Sequence, residues 1–139
     1  MPTANTYTYV QTKLEPVQAP ELAKELSAKF GASIDYAKGL LVGELVASPG
    51  VYVPYDHAGA DGSQVLKGIL MYHIVTDADS KITSLGGPAY GLVSNAPIYI
   101  GGYFACEDVA NPTELDDAIA AGYCKLIQGT STTGVFKLL

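Results

Sequence analysis

The chain has 139 residues, 48% of them hydrophobic, which fits one domain with a core of its own. Its formal net charge is −6 and all eight basic residues are lysines, which argues against a nucleic-acid partner, because arginine is the preferred phosphate ligand. No run approaches the roughly 18 apolar residues of a membrane span, and residues 1–14 show no secretory signal peptide, so we expect no membrane partner.

Residues 1–20 are predicted to form an extended, flexible N-terminal arm, because they are largely polar and interrupted by Pro2, Pro16 and Pro20. Inside the arm lies a β-prone segment with alternating side chains. Such a segment either adds as a strand to the sheet of a partner or forms a strand of its own domain, and the pattern leaves both open. The segment consists of Thr6, Tyr7, Thr8, Tyr9 and Val10.

The remaining residues, 21–139, are predicted to form a single β-rich domain that begins with a short helix over 20–30. Pro20 suits the first helical position and Gly31 suits the position just after the end. Apolar side chains recur at four-residue spacing between them, as on one face of a helix. These side chains are Leu22, Leu26 and Phe30.

The centre of the chain has the pattern of strands. Leu40–Val46 and Val51–Tyr55 flank a Ser-Pro-Gly turn, which predicts a hairpin. Val65–Val75 is nearly continuously apolar, which predicts one long strand buried on both faces. A glycine inside that strand, Gly68, indicates a bulge or a close backbone approach. Shorter strands are predicted at Lys81–Leu85 and around 92–93 and 98–100, with a break at Gly101-Gly102.

The C-terminal part is predicted to hold a helix followed by a hairpin. Asn111 would cap the helix, Pro112 would begin it, and Gly122 would end it. Tyr123–Ile127 and Gly134–Leu138 would pair as the last hairpin. Together these elements predict a small, compact α+β domain that is β-dominated, with one or two short helices.

The residues that could carry chemistry do not form a recognisable catalytic or metal-binding motif. His57 lies beside Asp56 and near Asp61, but this loop has ordinary turn composition. His73 lies in an apolar run and is interpreted as a core or interface histidine. We therefore expect no enzyme activity, no metal and no cofactor.

The two cysteines are the other chemically reactive residues. Cys106 and Cys124 have neither metal-ligand nor redox spacing. Two buried free thiols are the favoured interpretation, and a disulfide in an oxidising compartment stays open.

Three elements, in this order and spacing, resemble the head decoration protein D family of tailed bacteriophages, a lambda-like capsid-stabilising family. The first is an Asp-Gly turn followed by a Gly-Ile-Leu strand, the second is Gly-x-Phe followed by Glu-Asp-Val, and the third is a proline that leads into a helix with an Asp pair. The resemblance covers about Leu40 to Leu139. The residues that carry it are Asp61, Gly62, Gly68, Gly102, Phe104, Glu107, Asp108 and Pro112.

The resemblance implies a non-enzymatic protein made in the host cytoplasm and located on the outer surface of the virion capsid. It implies homotrimers at the three-fold positions of the expanded head, where they clamp neighbouring copies of the major capsid protein. The N-terminal arm would become ordered against the capsid, which assigns a capsid-binding role to Thr6–Val10. The segment before Leu40 has no clear counterpart in the family.

Two other functions are compatible with the residues alone. Ten tyrosines could serve a small-ligand or carbohydrate-binding β domain, although spread-out aromatic residues more often build cores and interfaces. A third possibility is the base of a head fibre.

Overall fold

The computed structural model of the chain describes residues 13–86 and 89–139, with the side chains of 89–92 left aside. Strands are the dominant element of the described residues, which also form one helix and two isolated 3-10 turns. The predicted β-dominated α+β domain with few helices is thus confirmed. Within the described ranges, no helix is long and apolar enough to cross a membrane.

The described residues form eleven strands, one α-helix and two 3-10 turns. The helix, α1, spans Pro112–Ala120, and the turns span Pro20–Leu22 and Cys106–Asp108. The strands are β1 Lys24–Phe30, β2 Asp35–Tyr36, β3 Leu41–Glu44, β4 Val51–Pro54, β5 Leu66–Leu70, β6 Ile74–Thr76, β7 Ile82–Leu85, β8 Ala89–Val93, β9 Asn95–Ala105, β10 Cys124–Gln128 and β11 Val135–Leu138.

The strands form two sheets. The larger has the order β1-β4-β3-β5-β9-β11-β10, and β1 also pairs with β9, so that five of its strands close into a ring. The smaller has the order β2-β6-β7-β8. Only the β1–β4 pair is parallel among the described pairings.

Strand β9 joins the ring to the C-terminal hairpin. Its first part pairs with β1 and β5, and its last four residues pair with β11. The predicted break at Gly101-Gly102 is wrong, because the strand continues through both glycines. Gly102 has a φ of +125°, and a Cβ there would lie 3.1 Å from the Cα of Ala23. A glycine is therefore needed where β9 passes the segment that enters β1.

The predicted helix over 20–30 is wrong. A single 3-10 turn at Pro20–Leu22 leads directly into β1, which pairs with β9 along its length. A spacing of four residues is also a multiple of the two-residue repeat of a strand, so the apolar pattern did not distinguish the two. An eleven-residue helix is marginal on its own, and pairing with β9 supplies the backbone hydrogen bonds instead.

The predicted single strand Val65–Val75 is two strands that belong to different sheets. The chain leaves β5 after Leu70 and enters β6 at Ile74. Between them, the carbonyl of Met71 accepts a hydrogen bond from Leu14 N–H, and that of His73 accepts one from Gly86 N–H. The run is apolar throughout because the chain is buried both in β5 and, after it passes to the other sheet, in β6.

Gly68 shows both features that its position predicted. A Cβ at Gly68 would lie 2.5 Å from the carbonyl oxygen of Tyr99. The register shifts at the same place, where Val42 faces Gly68 but Gly43 faces Leu66. The close approach and the bulge are therefore confirmed.

The two predicted hairpins are confirmed, with β3 paired to β4 and β10 paired to β11. Helix α1 begins at Pro112, and Gly122 follows it with a φ of +86°. The side chain of Asn111, however, makes no capping hydrogen bond. It instead accepts from Leu41 N–H at 2.8 Å and donates to the Leu41 carbonyl at 3.2 Å. It ties the start of α1 to β3.

The core consists of two clusters that share strands. Along β5, Ile69 contributes to the first cluster and Leu70 to the second, and along β9 Tyr99 and Ile98 divide in the same way. Successive side chains of a strand point to opposite faces, so both faces of these central strands are buried. The first cluster also receives Leu115 and Ala118 of α1 with β10 and β11, and the second receives β6 and β7.

Candidate functional sites

The Asp61-Gly62 turn is held against the end of β3. The Asp61 carboxylate accepts hydrogen bonds from Ser63 N–H at 3.0 Å and from Ser63 Oγ at 2.6 Å, and these hydrogen bonds lower its pKa. Gly62 has a φ of +111°, and a Cβ there would lie 2.2 Å from the Glu44 carbonyl oxygen. This pair therefore serves a turn and a close backbone approach.

The other residues that carry the resemblance lie apart from this turn and do not converge on one pocket. The Phe104 ring is fully buried, with its centroid 5.1 Å from that of Tyr99 and 6.0 Å from that of Phe136. Glu107 and Asp108 have exposed side chains in the second 3-10 turn. Pro112 is the first residue of α1. These residues therefore have structural positions, in a turn, in the core or at the start of the helix.

The predicted capsid-binding segment Thr6–Val10 lies outside the described residues. The described end of the predicted arm contacts the domain from Leu14 onward. Leu14 is buried, donates through its N–H to Met71 O at 2.7 Å and accepts from the Tyr99 hydroxyl at 2.8 Å. Val17 N–H donates to Tyr103 O at 2.9 Å. Any truncation meant to leave the domain intact must therefore stop before Leu14.

Both cysteines are buried free thiols, as the favoured interpretation predicted. Burial raises the pKa of Cys124 to about 12 and also raises that of Cys106. The two thiols are therefore protonated, poorly nucleophilic members of the first core cluster.

His57 has partners that its neighbours in sequence did not predict. Its ring Nδ1 lies 3.0 Å from Glu114 Oε1 and 3.2 Å from Asp117 Oδ2, both on α1, and its backbone N–H also donates to Glu114 Oε1 at 3.0 Å. Asp56 supplies a further carboxylate within 4.8 Å of the His57 and Glu114 ligand atoms. We refer to Asp56, His57, Glu114 and Asp117 as the His57 cluster. Asp61 is engaged with Ser63 instead.

The elements that hold the His57 cluster are fixed from both sides. Glu114 and Asp117 are three residues apart, on one face of α1, while Leu115 and Ala118 anchor the helix in the core. On the loop side, Asp56 N–H donates to Ser63 O at 2.9 Å. The sequence signal was the Glu-x-x-Asp spacing in the first turns of α1. Asp117 is 41% exposed and also faces His57.

A buried phenol lies behind the His57 cluster. Tyr55 is 2% exposed, and its hydroxyl has no hydrogen-bond partner among the described protein atoms. Burial, helped by the neighbouring Tyr123, Glu114 and Asp117, raises its pKa to about 12. The hydroxyl is therefore protonated and close enough to sense the carboxylates of α1.

His73 does not lie in the core, one of the two places that its sequence position predicted, and an interface role stays a prediction. Its side chain is 45% exposed, and ring Nε2 hydrogen-bonds with Asp35 Oδ1. The reason is its place in the link between β5 and β6, where the chain comes to the surface between the two sheets.

Two surface features present apolar side chains. A groove of about 400 Å³ is lined by Leu22 and Leu139, which are 52% and 64% exposed, and by Lys24 and Lys137. On the side away from β11, β10 has no strand partner within the part of the chain that the structure describes. An open strand edge and an apolar groove are both features of protein-binding surfaces.

The described tyrosines offer no exposed aromatic platform. Their side chains are buried or half-buried, and several pack on neighbours. The ring of Tyr55 packs edge-on against that of Tyr123, and Lys137 lies over the ring of Tyr103. The described tyrosines are 36, 52, 55, 72, 99, 103 and 123.

Comparison with known proteins found no matching family model, no matching curated protein and no matching solved structure.

The His57–Glu114 contact predicts a pH window for stability. The hydrogen bond to Glu114 raises the pKa of His57 above 6.5; burial opposes this effect, and the charges of Asp117, Glu114 and Asp56 support it. For Glu114, burial favours protonation, but the hydrogen bonds and charge of His57 outweigh it and lower the pKa below 4.5. His57 therefore stabilises the fold below pH 6.5 and Glu114 does so above pH 4.5.

We expect His57→Ala to lower the melting temperature most between pH 4.5 and 6.5, where both contributions are complete. The difference should shrink as the pH rises through the folded pKa of His57 or falls through that of Glu114. Thermal unfolding of both proteins across this range measures it. Glu114→Gln should reproduce the profile, and the double variant should add little. A difference that does not change with pH would contradict the pairing.

Proposed function

We propose that the chain is a bacteriophage head decoration protein. It binds the outside of the expanded head as homotrimers and stabilises the shell by clamping neighbouring copies of the major capsid protein. The observation that carries the proposal is the resemblance of three sequence elements, in order and spacing, to the head decoration protein D family. The proposal makes the protein a non-enzymatic component of the virion surface, with the major capsid protein and itself as partners.

The positions of the resembling residues support this proposal. Gly62, Gly68 and Gly102 lie where a Cβ would meet backbone atoms of neighbouring segments, at 2.2, 2.5 and 3.1 Å. Phe104 is fully buried between two other rings. A match at residues that a fold requires is more informative than one at exposed positions, because few other residues satisfy those positions.

The low content of charged residues and the apolar surface features also support a protein whose surface is covered by partners. Charged residues make up only 16% of the chain, against roughly a quarter in typical soluble domains. The groove between Leu22 and Leu139 and the open edge of β10 give apolar area and free backbone groups for a neighbouring protein. The carbohydrate-binding alternative gains no support from the described tyrosines, because none has an exposed ring.

The test is binding to heads of the phage that encodes the protein. We expect the purified chain to cosediment with expanded heads and not with unexpanded ones, because the binding surface spans neighbouring capsid subunits whose spacing changes on expansion. Light scattering of head-free protein then shows whether trimers, of about three times the 14.5 kDa chain mass, form before binding.

Two results would speak against decoration. Equal binding to expanded and unexpanded heads would show that neighbouring subunits are not being clamped. Absence of binding to expanded heads at saturating protein would reject the function itself. Serum albumin at the same concentration serves as the control for non-specific sedimentation.

A further inference from the structure

The His57 cluster brings one imidazole nitrogen and several carboxylate oxygens to one place on the surface. Single ligand atoms of Asp56, His57 and Glu114 all lie within 4.8 Å of one another. Asp117 adds a carboxylate oxygen 3.2 Å from His57 Nδ1. Imidazole nitrogen with carboxylate oxygen is a donor set that suits a divalent transition metal, zinc above all.

The distances fit a zinc ion with small adjustments. Ligands at about 2.0–2.1 Å from a tetrahedral zinc stand about 3.3 Å apart from each other. The two separations from His57 Nδ1, 3.0 Å to Glu114 and 3.2 Å to Asp117, are close to that value. A zinc ion would take the place of the hydrogen between the ring nitrogen and these carboxylates. Asp56, whose ligand atom lies within 4.8 Å of those of His57 and Glu114, would move closer to complete the site.

The buried Tyr55 hydroxyl is an independent observation at the same place. It is a polar group in an apolar core with no described partner, and the charges of Glu114 and Asp117 act on it. A buried donor without an acceptor is costly, and such groups in native proteins call for an explanation. Ligating carboxylates are commonly held by a hydrogen bond from behind. The Tyr55 hydroxyl makes no such bond in this structure, and it would form one when a carboxylate turns to bind an ion.

We propose that the His57 cluster binds one Zn²⁺ ion, with His57 Nδ1 as the nitrogen ligand and the carboxylates of α1 and Asp56 as oxygen ligands. Tyr55 positions the site by donating its hydroxyl hydrogen to a ligating carboxylate. Binding releases the proton from His57 Nδ1. The ion links the loop after β4 to α1, two segments that lie far apart in sequence.

The test is calorimetric titration of the full chain with zinc chloride near pH 7, in a buffer that does not chelate. We expect one ion per chain. His57→Gln should raise the dissociation constant at least about tenfold, since it removes the nitrogen ligand. Tyr55→Phe should raise it by a smaller factor without changing the stoichiometry. Magnesium at equal concentration should not compete, because it prefers an all-oxygen octahedral site.

His73→Gln is the matched control, since it removes the chain's other histidine, which pairs with Asp35 away from α1. It should leave zinc affinity unchanged. Because His57→Gln could also perturb the loop, the ring ¹⁵N signals of the unaltered chain provide a second measurement. Zinc should shift the Nδ1 signal of His57 and leave that of His73 in place.

Three outcomes would overturn the proposal. One is the absence of binding at millimolar zinc. Another is binding that His57→Gln leaves intact. The third is a zinc-dependent shift of the His73 ring in place of the His57 ring.

Discussion

Replacement of Phe104 by alanine is expected to lower the free energy of unfolding by about 3–5 kcal/mol, the range for removal of a fully buried aromatic ring. The ring is 0% exposed and packs between Tyr99 and Phe136, so its loss leaves a cavity where β9 meets β11. Chemical denaturation monitored by circular dichroism measures the change.

Tyr103→Ala is the matched control for Phe104. It removes a ring from the next residue of the same strand, but that ring is half-buried and its contact is with Lys137. We expect a loss of about 1 kcal/mol, near the centre of the range for single substitutions. Equal losses at the two positions would contradict the placement of Phe104 in the core.

Deletion of residues 2–12 is expected to leave the domain folded and to weaken binding to expanded heads by about a hundredfold. In the proposed function, Thr6–Val10 adds as a strand to an edge of the capsid, where main-chain hydrogen bonds and the rings of Tyr7 and Tyr9 supply affinity. Ordering the segment costs roughly 1–2 kcal/mol per residue, and three arms on one trimer offset this through effective concentration. Cosedimentation with heads over a concentration series measures the loss.

The deletion must end at residue 12, because removing Leu14 would also remove its hydrogen bonds to Met71 and Tyr99 and confound folding with binding. A full-length variant with Tyr7→Ser and Tyr9→Ser keeps the main chain and tests the rings alone. We expect the affinity of this variant for expanded heads to lie between those of the full chain and the truncated chain. If the truncated chain bound heads as tightly as the full chain, the arm would have no part in decoration.

The sequence predicted elements whose signals are local. The β3–β4 and β10–β11 hairpins follow from turn residues between apolar runs, and α1 follows from a proline at its start and a glycine after its end. Each of these elements is formed by contacts between residues that lie close together in sequence, so the local sequence determines it.

The failures concern elements that depend on distant partners. Strand β1 forms because β9, some seventy residues later, pairs with it, and the four-residue spacing of Leu22, Leu26 and Phe30 fits helix and strand alike. The run from Val65 to Val75 is apolar throughout because the chain is buried in both sheets. The hydrophobic pattern therefore gave no sign that the chain passes from β5 to β6 at residues 71–73.

The His57 cluster shows the same limit for sites. The sequence placed His57 with Asp61, four residues away, whereas folding places it against Glu114 and Asp117. Glu114 and Asp117 could be assigned to one face of α1 from their spacing. That this face meets the loop after β4 depends on how α1 packs in the first core cluster, and no local pattern encodes that contact.

The most direct test of the central claim is a reconstruction of expanded heads that have been incubated with the purified protein. We expect added density on the outer surface at three-fold and quasi-three-fold positions, as three copies in mutual contact, with Thr6–Val10 running as a strand along an edge of the major capsid protein. Heads without added density, or isolated monomers without any three-fold contact, would contradict it.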